Sequence, residues 1–93
     1  MAGLLYKGNI NNVDLDTLID FGTYYYNSGC TNKPDKIENG CLVVVKNTPG
    51  RCVQLAFRAE SYEFAFRMQW NDFSQEGYPV FWGKWVYLAL ESL

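Results

Sequence analysis

Hydrophobic and polar side chains alternate strictly in the segment from Tyr62 to Trp70. Its sequence, YEFAFRMQW, places an aromatic residue or Met at every second position. A period of two puts these residues on one face of an extended strand, whereas a helix would scatter the rings around its circumference. An apolar face of that breadth would favour association or aggregation if it were exposed. We therefore expect it to be the inner face, packed against a helix or a neighbouring subunit. Glu63 and Arg67 are then expected to point outward or across the sheet. The predicted inner face consists of Tyr62, Phe64, Phe66, Met68 and Trp70.

Four further segments have the composition of strands. They are GTYYY (22–26), CLVVVK (41–46), RCVQLAFR (51–58) and FWGKWVYL (81–88). The apolar run CLVVVK predicts a strand buried on both faces, and NTPG (47–50) suits a type I turn that closes a hairpin onto RCVQLAFR. In RCVQLAFR, alternation directs Val53, Leu55 and Phe57 to one side, and the residues between them to the other. The bend AESYE (59–63) predicts a second hairpin into YEFAFRMQW.

One helical segment precedes these strands. VDLDTLIDFG (13–22) has apolar residues at helical spacing, aspartates at its N-terminal turn and Gly22 at a C-cap position. With no alternating strand–helix rhythm, the pattern predicts a mainly β, β-rich α+β fold: a small antiparallel sheet of about five strands with one short N-terminal helix. At 93 residues, the chain is expected to form a single domain over residues 1–93.

Composition narrows the classes of partner. The chain has 10 acidic and 8 basic residues, a net charge of −2, and so lacks the basic stripe that binds phosphates or anionic membranes. The sequence also has no run of about 18 apolar residues, and its start lacks the features of a secretory signal. We therefore expect neither nucleic-acid binding nor membrane insertion.

The residues that usually carry catalysis are scarce. The chain has no histidine, which excludes Ser-His-Asp and Cys-His arrangements, and its glycines form neither a P-loop nor a dinucleotide fingerprint. Three cysteines, at positions 30, 41 and 52, cannot form a closed disulfide framework and make a weak case for zinc. Carboxylate pairs such as Asp72 with Glu76 could cleave glycosides in principle, but such pairs on loops are usually solvated. We expect no enzyme activity, no catalytic residues, no cofactor and no bound metal.

A polar loop next to the alternating strand has the composition of a sugar site. A pyranose stacks its apolar face on aromatic rings, and its hydroxyl groups pair with amide and carboxylate side chains. The alternative is that Trp70 only caps the core at the end of its strand. The candidate ligand-binding residues are Trp70, Asn71, Asp72, Gln75 and Tyr78.

Six segments in order resemble one family of phage proteins. LDTLIDFGTYYY, TNKP, NGCLVVV, VQLAF, FAFRMQW and FWGKWVYL together span residues 15–88, nearly the whole chain. Their order and spacing are similar to those of the pyocin-knob type of domain, found in bacteriophage tail fibres, prophage tail proteins and R-type pyocins. The matching positions are Leu15, Asp16, Leu18, Gly22, Tyr24, Tyr25, Asn32, Pro34, Gly40, Leu42, Val44, Gln54, Phe66, Arg67, Trp82 and Trp85. The chain departs from the pattern at Phe21, where the family often has proline, and in a longer loop at residues 71–80.

The resemblance implies a β-rich knob in a virion tail fibre, assembled in the bacterial host cytoplasm, commonly as a homotrimer, and taking part in recognition of the host surface. Gln54, Arg67, Trp82 and Trp85 are then structural: the first two could satisfy each other on neighbouring strands, and the tryptophans pin the last strand to the sheet. The leading hypothesis is a non-catalytic fibre tip that recognises a host surface polysaccharide. The alternatives are a structural trimerisation or spacer domain, and a carbohydrate-targeting module of a cell-wall-degrading enzyme.

Overall fold

The computed structural model describes residues 5–48, 51–58 and 61–88. The strands are β1 (Tyr6–Ile10), β2 (Gly22–Tyr26), β3 (Gly40–Thr48), β4 (Arg51–Arg58), β5 (Glu63–Asn71), β6 (Val80–Trp82) and β7 (Val86–Leu88). They form one sheet in the order β1-β2-β3-β4-β5-β6, with β7 also paired to β5. The mainly β architecture is confirmed, and every neighbouring pair is antiparallel except β1 with β2, which is parallel.

The strand count differs from the predicted five because of β1 and because FWGKWVYL forms two strands. Both β6 and β7 pair with β5, but a break at residues 83–85 separates them. Trp82 lies opposite Gln69, whereas Val86 lies opposite Phe66, so the break adds one residue to the register. An extra residue of this kind reverses the face to which the following side chains point.

The predicted N-terminal helix is only a single 3₁₀ turn, Leu15–Thr17. Asp14 caps it by accepting a hydrogen bond from the backbone N–H of Asp16 at 2.9 Å. The turn ends at Leu18, whose backbone is already extended, and Gly22 begins β2 instead of capping a helix. A longer helix does not form because the carbonyl group of Leu18 accepts a hydrogen bond from the Gln54 side chain instead.

The core lies on one face of the sheet, which we call the inner face. Irregular chain between β1 and β2 and between β2 and β3 covers this face, contributing the buried residues Leu15 and Ile37. The hydroxyl group of Tyr26 donates to the carbonyl oxygen of Ile37 at 2.7 Å and joins the sheet to this cover. The buried residues of the inner face itself are Tyr24, Tyr26, Leu42, Val44, Cys52, Gln54, Ala56, Ala65 and Arg67.

The prediction for YEFAFRMQW assigned the wrong face to the core. Ala65 and Arg67 are buried, whereas Met68 is 53% and Trp70 46% exposed. Ala65 lies opposite Ala56, and these small side chains let the covering chain approach the sheet closely. Because that cover is irregular chain with unpaired carbonyl groups, polar side chains are needed on the face beneath it.

The remaining residues of that prediction follow the same correction. Tyr62 is 77% exposed, Phe64 and Phe66 are half-buried on the opposite, outer face, and Glu63 is half-buried on the inner side. The prediction that CLVVVK is buried on both faces is also wrong, since Leu42 and Val44 are buried but Val43 and Val45, on the other face, are only half-buried. The division of RCVQLAFR into two faces is confirmed.

Both predicted hairpins exist as antiparallel pairs, β3 with β4 and β4 with β5. The turn residues Pro49 and Gly50 and the bend residues Ala59 and Glu60 lie outside the described part of the chain. Gly40 begins β3 where the sheet is tight: a Cβ atom there would lie 2.5 Å from the carbonyl oxygen of Phe57. Any larger residue at position 40 would push β3 away from β4.

Candidate functional site

A buried polar pair joins the sheet to its cover. Gln54 is fully buried and Arg67 is 5% exposed, on adjacent positions of β4 and β5. The Arg67 Nε group donates to Gln54 Oε1 at 2.9 Å, while Gln54 Nε2 donates to the carbonyl oxygens of Leu15 at 2.7 Å and Leu18 at 2.9 Å. The two side chains are therefore hydrogen-bonded to each other across neighbouring strands, as predicted. The pair also holds the 3₁₀ turn in place.

Two tryptophan rings enclose the Arg67 guanidinium group. Its central carbon lies 4.2 Å from the ring centroid of Trp82 and 4.7 Å from that of Trp85, within the range of cation–π attraction. The indole N–H of Trp82 donates to the carbonyl oxygen of Asp16 at 3.2 Å, and that of Trp85 to the carbonyl oxygen of Asn32 at 3.0 Å. Through these contacts the tryptophans fasten the last two strands to the sheet and its cover.

Both tryptophans reach Arg67 because of the break between β6 and β7. Residues three apart on an uninterrupted strand point to opposite faces. In the register of β6, position 85 would lie opposite Phe66 on the outer face; in the register of β7 it lies opposite Arg67. The extra residue therefore places both rings on the inner face.

Acidic groups compensate the buried charge of Arg67. Its Nη1 atom lies 2.9 Å from Asp16 Oδ1. Burial lowers the pKa of Arg67, and the nearby Asp16 carboxylate opposes that effect. The pKa of the neighbouring Asp14 is lowered, because its carboxylate accepts hydrogen bonds from the Asn32 side chain and the Asp16 backbone. The Asp16 carboxylate thus supplies the opposite charge that a buried guanidinium group requires.

A polar cavity of about 420 Å³ adjoins this cluster. One wall is the Trp85 ring, and Arg67 and Lys33 supply positive charge. The Nη2 atom of Arg67 is buried without a hydrogen-bond partner among the described residues. The cavity was not predicted from the sequence, because it brings the TNKP turn together with Arg67 and Trp85, which are distant from that turn in the chain. The lining residues are Cys30, Thr31, Asn32, Lys33, Asp35, Arg67 and Trp85.

The five predicted ligand-binding residues lie together on the β5–β6 hairpin and its loop, residues 71–80. Asp72 organises the loop: its carboxylate accepts from Ser74 N at 3.0 Å, from Ser74 Oγ at 2.5 Å and from Gln75 Nε2 at 2.7 Å. These hydrogen bonds lower the pKa of Asp72. Asn71 Nδ2 donates to the carbonyl oxygen of Tyr78 at 3.2 Å. The predicted polar side chains therefore shape the loop first.

The aromatic rings of this hairpin remain available to solvent. Trp70 packs against Phe81 with ring centroids 5.3 Å apart, and Phe73 packs against Tyr78 at the same distance. Trp70 does not cap the core, because it lies on the outer face at 46% exposure. Phe73 is 63% and Tyr78 57% exposed. The sequence analysis did not single out Phe73 and Phe81, although both belong to the same aromatic-rich segment.

The backbone of the loop favours a fixed shape. Gly77 and Tyr78 both have positive φ, at 83° and 48°, and backbone hydrogen bonds from Gln75 to Asp72 and from Tyr78 to Gln75 close two successive turns. A loop held by its own hydrogen bonds loses little conformational entropy when it meets a ligand. Chemically, the arrangement offers flat apolar rings flanked by amide and carboxylate groups.

Two other classes of site are not seen in the described ranges. Within residues 5–48, 51–58 and 61–88, no group of three or more Cys, Asp or Glu side chains is arranged to hold a metal ion. Over the same ranges, none of the helical structure has the length and hydropathy needed to cross a bilayer.

Comparison with known proteins found no match for this chain. The chain matches no protein-family model, no curated protein and no solved structure.

Proposed function

We propose that this chain is a non-catalytic knob or tip domain of a phage tail fibre that recognises a polysaccharide on the host cell surface. The tail-fibre assignment, the virion location and the homotrimeric state rest on the resemblance of residues 15–88 to pyocin-knob domains. The observation that carries the binding role is the loop of residues 71–80, which presents exposed rings on a backbone held by its own hydrogen bonds.

The loop supplies both parts of a sugar site. A pyranose ring can stack on Tyr78 or Phe73, each more than half exposed, at little cost in buried polar groups. The Asn71 amide group bonds to the backbone of Tyr78, and the Gln75 amide group bonds to the Asp72 carboxylate in the same loop. The hydrogen-bonding capacity that these groups still have can pair with sugar hydroxyl groups. Because the loop is already ordered, the binding free energy is not spent on folding it.

Two other roles compete with this proposal. A spacer or trimerisation domain would need the packed core and the Arg67 cluster but not the exposed rings. A carbohydrate-targeting module of a cell-wall-degrading enzyme would use the same rings and would be joined to a hydrolase. Polysaccharide binding would distinguish the proposed role from that of a spacer domain. A hydrolase encoded in the same reading frame would instead indicate a targeting module.

The test is retention of the purified chain on immobilised bacterial surface polysaccharides, measured by biolayer interferometry. Phe73→Ala removes one exposed ring, and Tyr78→Asn removes another with a residue that tolerates positive φ. We expect each variant to weaken binding by about threefold to tenfold, the range given by stacking energies. The matched control is Tyr62→Asn, which removes a 77% exposed ring with positive φ at the far end of β5.

The outcomes are distinguishable. Retention that both loop variants reduce and the control does not supports the proposal. Failure of the unsubstituted chain to bind any surface polysaccharide contradicts it and favours the spacer. Release of reducing ends contradicts the non-catalytic role, and binding lost only in Lys33→Ala moves the site to the cavity beside Arg67.

A further inference from the structure

The guanidinium group of Arg67 has one nitrogen atom without a partner. Its Nε atom donates to Gln54 Oε1 at 2.9 Å, and its Nη1 atom lies 2.9 Å from Asp16 Oδ1. The Nη2 atom is buried and has no hydrogen-bond partner within residues 5–48, 51–58 and 61–88. A buried donor on a charged group is costly to leave unpaired, and most buried polar atoms in proteins have a partner. A ligand that brings an acceptor to Nη2 would therefore gain a favourable hydrogen bond.

The cavity beside Arg67 has room for such a ligand. Its volume of about 420 Å³ lies within the range of small-molecule sites. Arg67, at 5% exposure, belongs to its floor, whereas the exposed side chains of Asn32 and Asp35 belong to its rim. Because Nη2 is itself buried, an acceptor reaches it only when a lining side chain moves. Lys33 is half-buried and has no ion pair in the described part of the chain, so its long side chain can turn to admit the acceptor.

The charges around the cavity favour a ligand with one negative charge. Lys33 and Arg67 supply two positive groups whose unused hydrogen-bonding capacity consists only of donors. A carboxylate accepts from such donors through two oxygen atoms and makes short, charge-assisted hydrogen bonds. Asp35 also lines the cavity, so a dianion such as phosphate would meet more repulsion than a monoanion. Burial is the main cause that lowers the pKa of Arg67, and a second carboxylate would oppose this effect as Asp16 does.

We propose that this cavity is a second binding site, which takes a small ligand bearing a single carboxylate group. In the bound state, Arg67 Nη2 and Lys33 Nζ donate to the carboxylate oxygens, while Trp85 and Asn32 contact the rest of the ligand. An acidic sugar has this chemistry, because its ring can lie against an indole and its hydroxyl groups can pair with an amide. The cavity shares no lining residue with the loop of residues 71–80, so this inference does not rest on polysaccharide recognition by that loop.

The test is a titration of the purified chain with sodium glucuronate, sodium acetate and glucose at constant ionic strength, followed by nuclear magnetic resonance. The reporters are the Nε–H of Arg67 and the indole N–H of Trp85, which donates to the Asn32 carbonyl oxygen at the cavity. We expect glucuronate to shift both signals with a dissociation constant of about 1 mM, the affinity typical of a ligand of its size. Acetate should bind more weakly, and glucose should leave both signals unchanged.

Two substitutions of lining residues should change this affinity in opposite directions. Lys33→Ala removes a donor and should weaken glucuronate binding by about threefold to tenfold, whereas Asp35→Asn removes the opposing charge and should strengthen it by about twofold. Lys36→Ala is the matched control, because Lys36 carries the same charge in the same connection but lies over the Tyr87 ring and does not line the cavity. All three positions are at least partly exposed, so each variant should fold, which circular dichroism checks.

Several results would overturn the proposal. One is the absence of any shift at about 20 mM glucuronate, well above the expected dissociation constant, or an equal shift with glucose. Tighter binding of inorganic phosphate than of glucuronate would contradict the assignment to a single carboxylate. Equal effects of Lys33→Ala and Lys36→Ala, or binding that leaves the Arg67 signal unchanged, would place the ligand elsewhere. Tyr78→Asn should leave the glucuronate affinity unchanged, so the failure of this site and the failure of polysaccharide recognition can be recognised separately.

Discussion

Replacing Gln54 by Met is expected to lower the free energy of unfolding by about 3–5 kcal/mol. Met has nearly the same length and volume as Gln, so the substitution removes hydrogen bonds and leaves the packing of a fully buried side chain almost unchanged. The effect therefore reports the polar network and not a cavity.

The magnitude follows from the three hydrogen bonds that Gln54 makes. Two are donated to the backbone carbonyls of Leu15 and Leu18, and one is accepted from Arg67 Nε. A neutral bond contributes about 1 kcal/mol and a bond to a charged group about 1.5–3 kcal/mol, and Arg67 would be left with an unpaired buried donor. Domains of this kind are stable by roughly 5–15 kcal/mol, so the variant should still fold.

Gln69→Met provides the matched control on the neighbouring strand. Gln69 accepts one hydrogen bond, from the backbone N–H of Cys52 at 3.2 Å, and is half-buried. Its loss should cost about 1 kcal/mol. The assay is equilibrium urea unfolding at fixed protein concentration, with circular dichroism as the signal. A loss below about 1 kcal/mol for Gln54→Met, or equal losses for the two variants, would refute the argument that this network stabilises the fold.

Two further predictions concern the same region. Trp82→Phe should lower the free energy of unfolding by about 1 kcal/mol, because it removes the indole hydrogen bond to the Asp16 carbonyl group. Trp82→Ala should lower it by about 2–4 kcal/mol, because the half-buried ring also covers Arg67. Urea unfolding measures both, and equal losses would contradict a role for the ring. The pKa of Asp14 is lower in the folded chain than its ordinary value of 3.8, so its contribution to stability is complete above that value and is lost as pH falls through the lowered pKa. Asn32→Ala should make the free energy of unfolding fall less steeply as the pH drops below about 4, because it removes a hydrogen bond that lowers the pKa of Asp14. Urea unfolding at several pH values checks this, and an unchanged pH dependence would contradict it.

Alternation along the chain predicted most of the sheet. GTYYY, RCVQLAFR and YEFAFRMQW all form strands near the expected positions, because a period of two and β-branched or aromatic residues favour extended backbone. The pairing of Gln54 with Arg67 was also predictable, since two polar side chains on neighbouring strands must find partners when they are buried. The helix was overestimated because local spacing cannot register the competing hydrogen bond from Gln54 to Leu18.

The candidate site was predicted in part. The five residues from Trp70 to Tyr78 are neighbours in sequence, so one hairpin brings them together. The use of Asp72 and Asn71 within the loop depends on its turn geometry, which composition does not specify. The cavity beside Arg67 could not be predicted from the sequence, because Lys33 and Trp85 are far apart in the chain and come together only in the folded structure.

By itself, the sequence determined that this protein is a β sheet with two unlike faces, because side-chain alternation is a local property of extended backbone. The tertiary structure decided which face became the core. The local pattern favoured the face of Phe66 and Met68 as the core. The irregular chain that covers the sheet instead required hydrogen-bond donors, which Gln54 and Arg67 supply, and a small side chain beneath it, which Ala65 supplies. The choice of face depends on contacts between distant segments, and so it lies beyond any local pattern of hydrophobicity.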